Sequence, residues 1–178
     1  MKSNKKLNAK NIINTRHALD SEIARLWTIF KAENTLRKNA VKHYRLHNLA
    51  EVHNQILQKI EYRILIKGIL NNLNNGNLKF NAEDFKKTHY YTIFRLQETQ
   101  EQIVKLNEIR KKAMKPQMKA QKGKANLPFN EVFSYEKLTS LINHLETDVN
   151  TYKSKIEKYN DDTEIEITDN SIDDLLAV

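Results

Sequence analysis

No glycine or proline interrupts the first 67 residues, and the chain of 178 holds only Gly68, Gly76, Gly123, Pro116 and Pro128. A β-rich fold needs turn residues roughly every 8–12 positions. This chain does not supply them, so long helices are the reading. The length fits one domain with a core of its own. The hydrophobic fraction is 39% and the charged fraction 29%, a balance that suits thin helices wet on one side. The expected fold is all-α: an elongated bundle of about four helices with coiled-coil-like packing, a basic loop and an acidic C-terminal tail.

Hydrophobic periodicity divides the chain further. Residues 1–13 read as a flexible basic arm carrying Lys2, Lys5, Lys6 and Lys10. Leu19, Ile23, Leu26 and Phe30 then follow helical spacing, with Trp27 beside them as a packing residue. The stripe lapses at Glu33 and Arg37, resumes at Ala40 and Tyr44, and slips in phase near His47. A second stripe runs through Leu49, Val52, Ile56, Ile60 and Ile64. Asn48 and Glu51 have capping-box chemistry. Helices are therefore predicted at 15–46 and 49–73, with a break between them; one bent helix is the rival. Ile64–Leu73 is apolar nearly all round and is expected to be the most buried stretch. Asn75-Gly76 reads as its C-terminal stop.

A third helix is predicted over 82–113, opened by Asn81 and striped by Phe85, Ile93, Leu96, Ile103, Leu106 and Ala113. His89, Tyr90 and Tyr91 add aromatic bulk near its start. The fourth, 134–160, carries the cleanest heptad run, Leu138, Ile142, Leu145, Val149, Tyr152, Ile156 and Tyr159. Three heptads are short for an autonomous coiled coil, so this seam packs within the bundle, on a copy of itself or on a partner helix. The domain scheme is an arm at 1–13, a bundle at 14–160 with a basic loop at 110–128, and a tail at 161–178.

Charge is segregated. The chain is +8, yet its last 18 residues hold seven acids and no base, which leaves +15 on the remainder. Seven cations fall within 110–124: Arg110, Lys111, Lys112, Lys115, Lys119, Lys122 and Lys124. Such a cluster matches the footprint of phosphate binding, although a lysine-rich loop can simply be solvated. Beyond the acids, Ile172, Leu175, Leu176 and Val178 form an apolar hook suited to a partner. The tail's acids follow a helix C-terminus, where the macrodipole disfavours anions, so the tail is expected to lie on the basic loop or on a partner.

The remaining chemistry is sparse. Without cysteine there is no disulfide, thiolate nucleophile or Cys-based zinc site. His43, His47 and Glu51 at i, i+4 and i+8 have the donor types of a metal site, but they lie opposite the apolar stripe, and a solvated polar face is the simpler reading. No phosphate-cradling glycine loop or nucleophile motif occurs. No apolar run reaches the length of a membrane span, and no signal-peptide core follows the start. The expectation is a protein that is not an enzyme, has no cofactor or metal, and is cytoplasmic or virion-associated rather than secreted. Its function is that of a helical interaction or assembly subunit of a larger complex. Its Asn- and Lys-rich composition suits a phage virion or mobile-element component. The alternative is a nucleic-acid-binding protein whose acidic tail competes for the 110–124 loop.

Overall fold

The computed structural model describes residues 8–37, 46–113 and 129–164 of the chain, with side chains described outside the two short strands. Among the described residues five helices and one minimal ribbon follow in the order α1 (Ala9–Glu33), β1 (Thr35–Arg37), α2 (Leu49–Asn74), α3 (Ala82–Phe85), α4 (His89–Arg110), β2 (Phe129–Glu131) and α5 (Tyr135–Asp162). The class is all-α. Helices α1 and α2 pack as one hairpin, and α4 and α5 pack as a second.

Capping residues set most helix starts. The Asn48 side chain accepts from the Ala50 and Glu51 backbone N–H groups, and Ser134 accepts from Lys137 N–H. Each satisfies donors that a helix start leaves free. At the other end of α2, Gly76 takes a positive φ of 71°, a conformation that glycine adopts without steric cost.

The first helix differs from the predicted 15–46 at both ends. It starts at Ala9, because Asn8 caps it and Ile12 is buried, so the predicted arm 1–13 is helical from residue 9. It ends at Glu33, where the apolar stripe lapses. Glu33 then accepts hydrogen bonds from the Leu46 and His47 backbone N–H groups and from the His47 ring. Partial burial alone would raise the Glu33 pKa; these bonds and the His47 charge hold it below the ordinary carboxylate value.

Asn34 follows immediately and is fully buried. Its amide donates to the Phe133 carbonyl at 3.1 Å and accepts from the Phe133 N–H at 2.8 Å. One side chain thus extends the antiparallel pairing of Thr35 with Glu131, Leu36 with Asn130 and Arg37 with Phe129. This clamp ties the end of α1 to the start of α5.

The predicted single helix at 82–113 is two helices. The chain breaks at residues 86–88, and Thr88 caps α4 by accepting from Tyr91 N–H. The break lets the Phe85 ring lie flat against Gly68, where an added Cβ would sit 2.5 Å from the ring. Phe80, Tyr91 and Phe94 surround the Phe85 ring. The apolar stripe predicted for this helix also shifts. Ile93, Leu96 and Ile103 are only half-buried, whereas Glu98, Thr99, Gln102, Leu106 and Ile109 are buried.

The main core lies where α1 ends, α2 begins, α4 ends and α5 begins. Phe30, Leu49, Ile56, Ile109, Leu138 and Ile142 are enclosed there. Phe30, Trp27, His53 and Phe133 add an aromatic nest, with the Phe30 and Phe133 ring centroids 4.8 Å apart. Apolar burial of this kind contributes about 1.5–3 kcal/mol per large side chain.

Candidate interaction surfaces

The join between the hairpins is ionic. Arg63 of α2 donates through Nε to Glu98 at 3.1 Å and through Nη1 to Asp20 of α1 at 3.1 Å. Its Nη2 reaches Glu98 and also Glu101 at 2.8 Å. Lys67 holds the second Glu98 oxygen at 2.8 Å. Glu98 is only 1% exposed, so the pair is paid for in desolvation and secured by its hydrogen bonds. Arg63 keeps its proton firmly: burial opposes its charge, and the three carboxylates outweigh burial. A second bridge, Glu61 to Arg95, crosses the same join, with the Tyr91 hydroxyl bound to both residues.

Helices α1 and α4 diverge beside this cluster and leave a groove of about 240 Å³. Trp27 and Ile109 provide apolar wall, while Asp20, Glu101 and Glu108 face Arg63, Lys31 and Lys105. Its charges largely satisfy one another, as in the Lys31–Glu108 bridge at 2.6 Å. The groove therefore offers little free field to a charged ligand.

The α5 heptad seam is used mainly inside the molecule. Leu138, Ile142 and Val149 are buried, and Leu145, Tyr152 and Ile156 are half-buried. Tyr159 is 48% exposed, yet its ring stacks on His89 at 3.9 Å and 14°. That stack places the end of α5 beside the start of α4. Burial raises the Tyr152 pKa, and its hydroxyl feels the charges of Arg95 and Glu61, so α5 also runs close to α2 at this level.

The expectation that Ile64–Leu73 is the most buried stretch is corrected. Ile64 is buried and Leu65 packs on the core. Ile66, Ile69, Leu70 and Leu73 are only half-buried, and Tyr62 is 48% exposed. Tyr62, Ile66, Ile69 and Leu73 are spaced 4, 3 and 4, a heptad stripe of their own. At about 100° per residue it lies on the side of α2 away from Ile60 and Ile64. The reason is geometric: α1 and α4 flank α2, and among the described residues no further helix covers its outer side. The Asp20–Arg63 and Glu22–Lys59 bridges fix the α1–α2 register. That register brings Ile13, which is 44% exposed, level with Leu70 at the same end.

Of the basic cluster, Arg110, Lys111 and Lys112 are described. Arg110 is engaged with Asn107, Thr139 and the Tyr135 ring. Lys111 and Lys112 are exposed. Lys115, Lys119, Lys122 and Lys124 lie outside the described residues, as do the tail residues Ile172, Leu175, Leu176 and Val178. His43 lies outside them too. His47 pairs with Glu33 and precedes the Asn48 cap, so it shares no helix with Glu51. Among the described residues no group of three or more His, Asp or Glu side chains is placed to hold a metal ion, and no helix is long and apolar enough to cross a membrane.

No protein-family model, curated protein or solved structure matches this chain.

Proposed function

We propose that this protein is a non-enzymatic assembly subunit that uses the outer face of α2 to pack on another helical surface, either a second copy or a helix of a larger complex. The observation that carries the reading is the stripe Tyr62, Ile66, Ile69 and Leu73. It has coiled-coil spacing, partial solvent exposure and no covering helix among the described residues. Such a face has the spacing that helix-in-groove recognition reads. Sedimentation velocity over a range of concentrations tests it, on the intact chain and on a full-length chain with Ile172, Leu175 and Leu176 changed to Ser. Association in either form that Ile69→Asp abolishes supports the reading. Monomers at every concentration in both forms overturn self-assembly.

A second reading is phosphate contact by the 110–124 segment. The observation that favours it is the separation of charge along the α4–α5 hairpin. Exposed Lys111 and Lys112 sit at one end, and Asp161, Asp162 and Glu164 sit at the other, one α5 length of about 42 Å away. Those three acids therefore leave the cations free to meet a polyanion, and competition for the segment would fall to the tail beyond residue 164. Generic duplex DNA is then bound with a salt slope of about −0.9 per phosphate engaged. Absence of binding at 50 mM salt, a roughly low-salt condition on the scale of such measurements, overturns it.

A further inference from the structure

We propose that the acidic, apolar C-terminal segment 171–178 is itself a ligand of the α2 outer face, seated in the same molecule and displaced when a partner binds. The inference rests on the preceding reading, because it names a first occupant for the surface that reading uses.

Position comes first. Tyr159 stacks on His89, and Tyr152 senses Glu61 and Arg95. The Phe85 ring on Gly68 and the Asn72 amide on the Lys79 carbonyl hold the α2–α4 connection against the last turns of α2. The described chain therefore stops, at Glu164, at the end of the bundle where the outer face of α2 at Ile66, Ile69 and Leu73 is only half-buried. Seven residues lie between Glu164 and Ile172, and the eight Cα steps that join them span up to about 26 Å. Packed helices lie about 8–10 Å apart, so a face two helices away is within reach.

Chemistry agrees with position. Ser171 precedes Ile172, Leu175 and Leu176. A hydroxyl residue followed by apolar residues at i, i+3 and i+4 has the pattern of an amphipathic helical turn. Such a turn is shorter than the two turns from Ile66 to Leu73 and fits within them. Between the apolar residues stand Asp173 and Asp174. The exposed Lys79 follows α2 at the same end, held there by the Asn72 amide on its carbonyl. An acidic segment thus meets a cation at the edge of an apolar floor. The basic residues Lys111 and Lys112 are at the opposite end of α4.

The chain has no cysteine, so an introduced pair reports proximity without background. Full-length protein carrying Ile69→Cys and Leu175→Cys is oxidised at low concentration, beside a control carrying Val104→Cys, an exposed site on α4, and Leu175→Cys. The expected result is an intramolecular disulfide that forms at least about tenfold faster in the first pair, reflecting a raised effective concentration. Equal rates in the two pairs overturn the inference. Disulfide-linked dimers from the Ile69→Cys single variant also overturn it, because a second copy then covers the face, while the assembly reading survives. Hydrogen exchange gives a readout free of cysteine. Changing Ile172, Leu175 and Leu176 to Ser should speed exchange at residues 62–73 by about tenfold, while leaving residues 49–56 unchanged. Unchanged exchange at residues 62–73 sinks the proposal.

Discussion

The two ends of the bundle are built by different means. At one end four helix termini converge on Phe30, Leu49, Ile109 and Leu138, and Asn34 locks α1 to the α5 entry. At the other end α2 leaves Ile66, Ile69 and Leu73 only half-buried beside the enclosed Phe85 ring, and α5 closes with the stack of Tyr159 on His89. Between them runs an ionic join centred on Arg63 and Glu98. Apolar character along a helix does not decide burial; coverage by neighbours does. The closed end encloses the main core, and the open end leaves part of its apolar surface to solvent.

Substitutions can break this comparison, and the largest effects belong to the closed end. Phe30→Ala should cost about 3–5 kcal/mol in denaturant unfolding, as for a fully buried aromatic. Ile69→Ala, on the open face, should cost less than half as much. Equal costs would mean that the open end is as covered as the closed one. Glu98→Ala should cost about 3 kcal/mol, because Arg63 keeps Asp20 and Glu101 but loses its buried carboxylate, and Lys67 loses the same partner. The double change Arg63→Met with Glu98→Leu should recover most of that loss, measured as thermal midpoint. A double variant as unstable as the single would show that the join does more than neutralise itself.

Asn34→Ala comes next, at about 2–3 kcal/mol, since it leaves the Phe133 N–H and carbonyl without their buried partner. Its signature is loosened exchange at the α5 start, with the open end unaffected. The smallest effect is a pH dependence. Burial, aided by the Lys137 charge, holds the His53 imidazole below its ordinary pKa of 6.5. The folded state therefore binds this proton less readily than the unfolded chain. Its contribution to stability is complete above pH 6.5 and is lost as pH falls below that value. His53→Phe should flatten the thermal midpoint between neutral pH and the onset of carboxylate titration. A midpoint that still falls equally in the variant would assign the effect to another group.

Much of the helix framework was legible before any packing was known. Asn48, Asn81 and Ser134 start helices, Gly76 follows the end of one, and Leu138, Ile142 and Val149 of the α5 seam are buried, with Leu145 half-buried between them. These features are local: a cap bonds within three residues, and a stripe is set by helix pitch. The surfaces argued to carry function were less legible. Tyr62, Ile66, Ile69 and Leu73 were hidden inside a run apolar on every side, where no periodicity separates an inner face from an outer one. Glu98, Thr99 and Gln102 are core positions that polarity disguised. His53 lies at the edge of the α2 stripe and became an aromatic-nest member only once Phe133 arrived from 80 residues downstream.

That this chain is helical, where most of its helices begin, and that its charge divides between a basic body and an acidic end are all properties of short stretches of sequence. Those properties follow from backbone propensity, capping and composition, each settled over a few residues. Which apolar face of α2 is covered, the Arg63–Glu98 join between the hairpins and the reach of Asn34 to Phe133 arise from packing. These depend on pairings between segments far apart in the chain. A side chain's burial and the partner of a buried charge exist only after those segments have met.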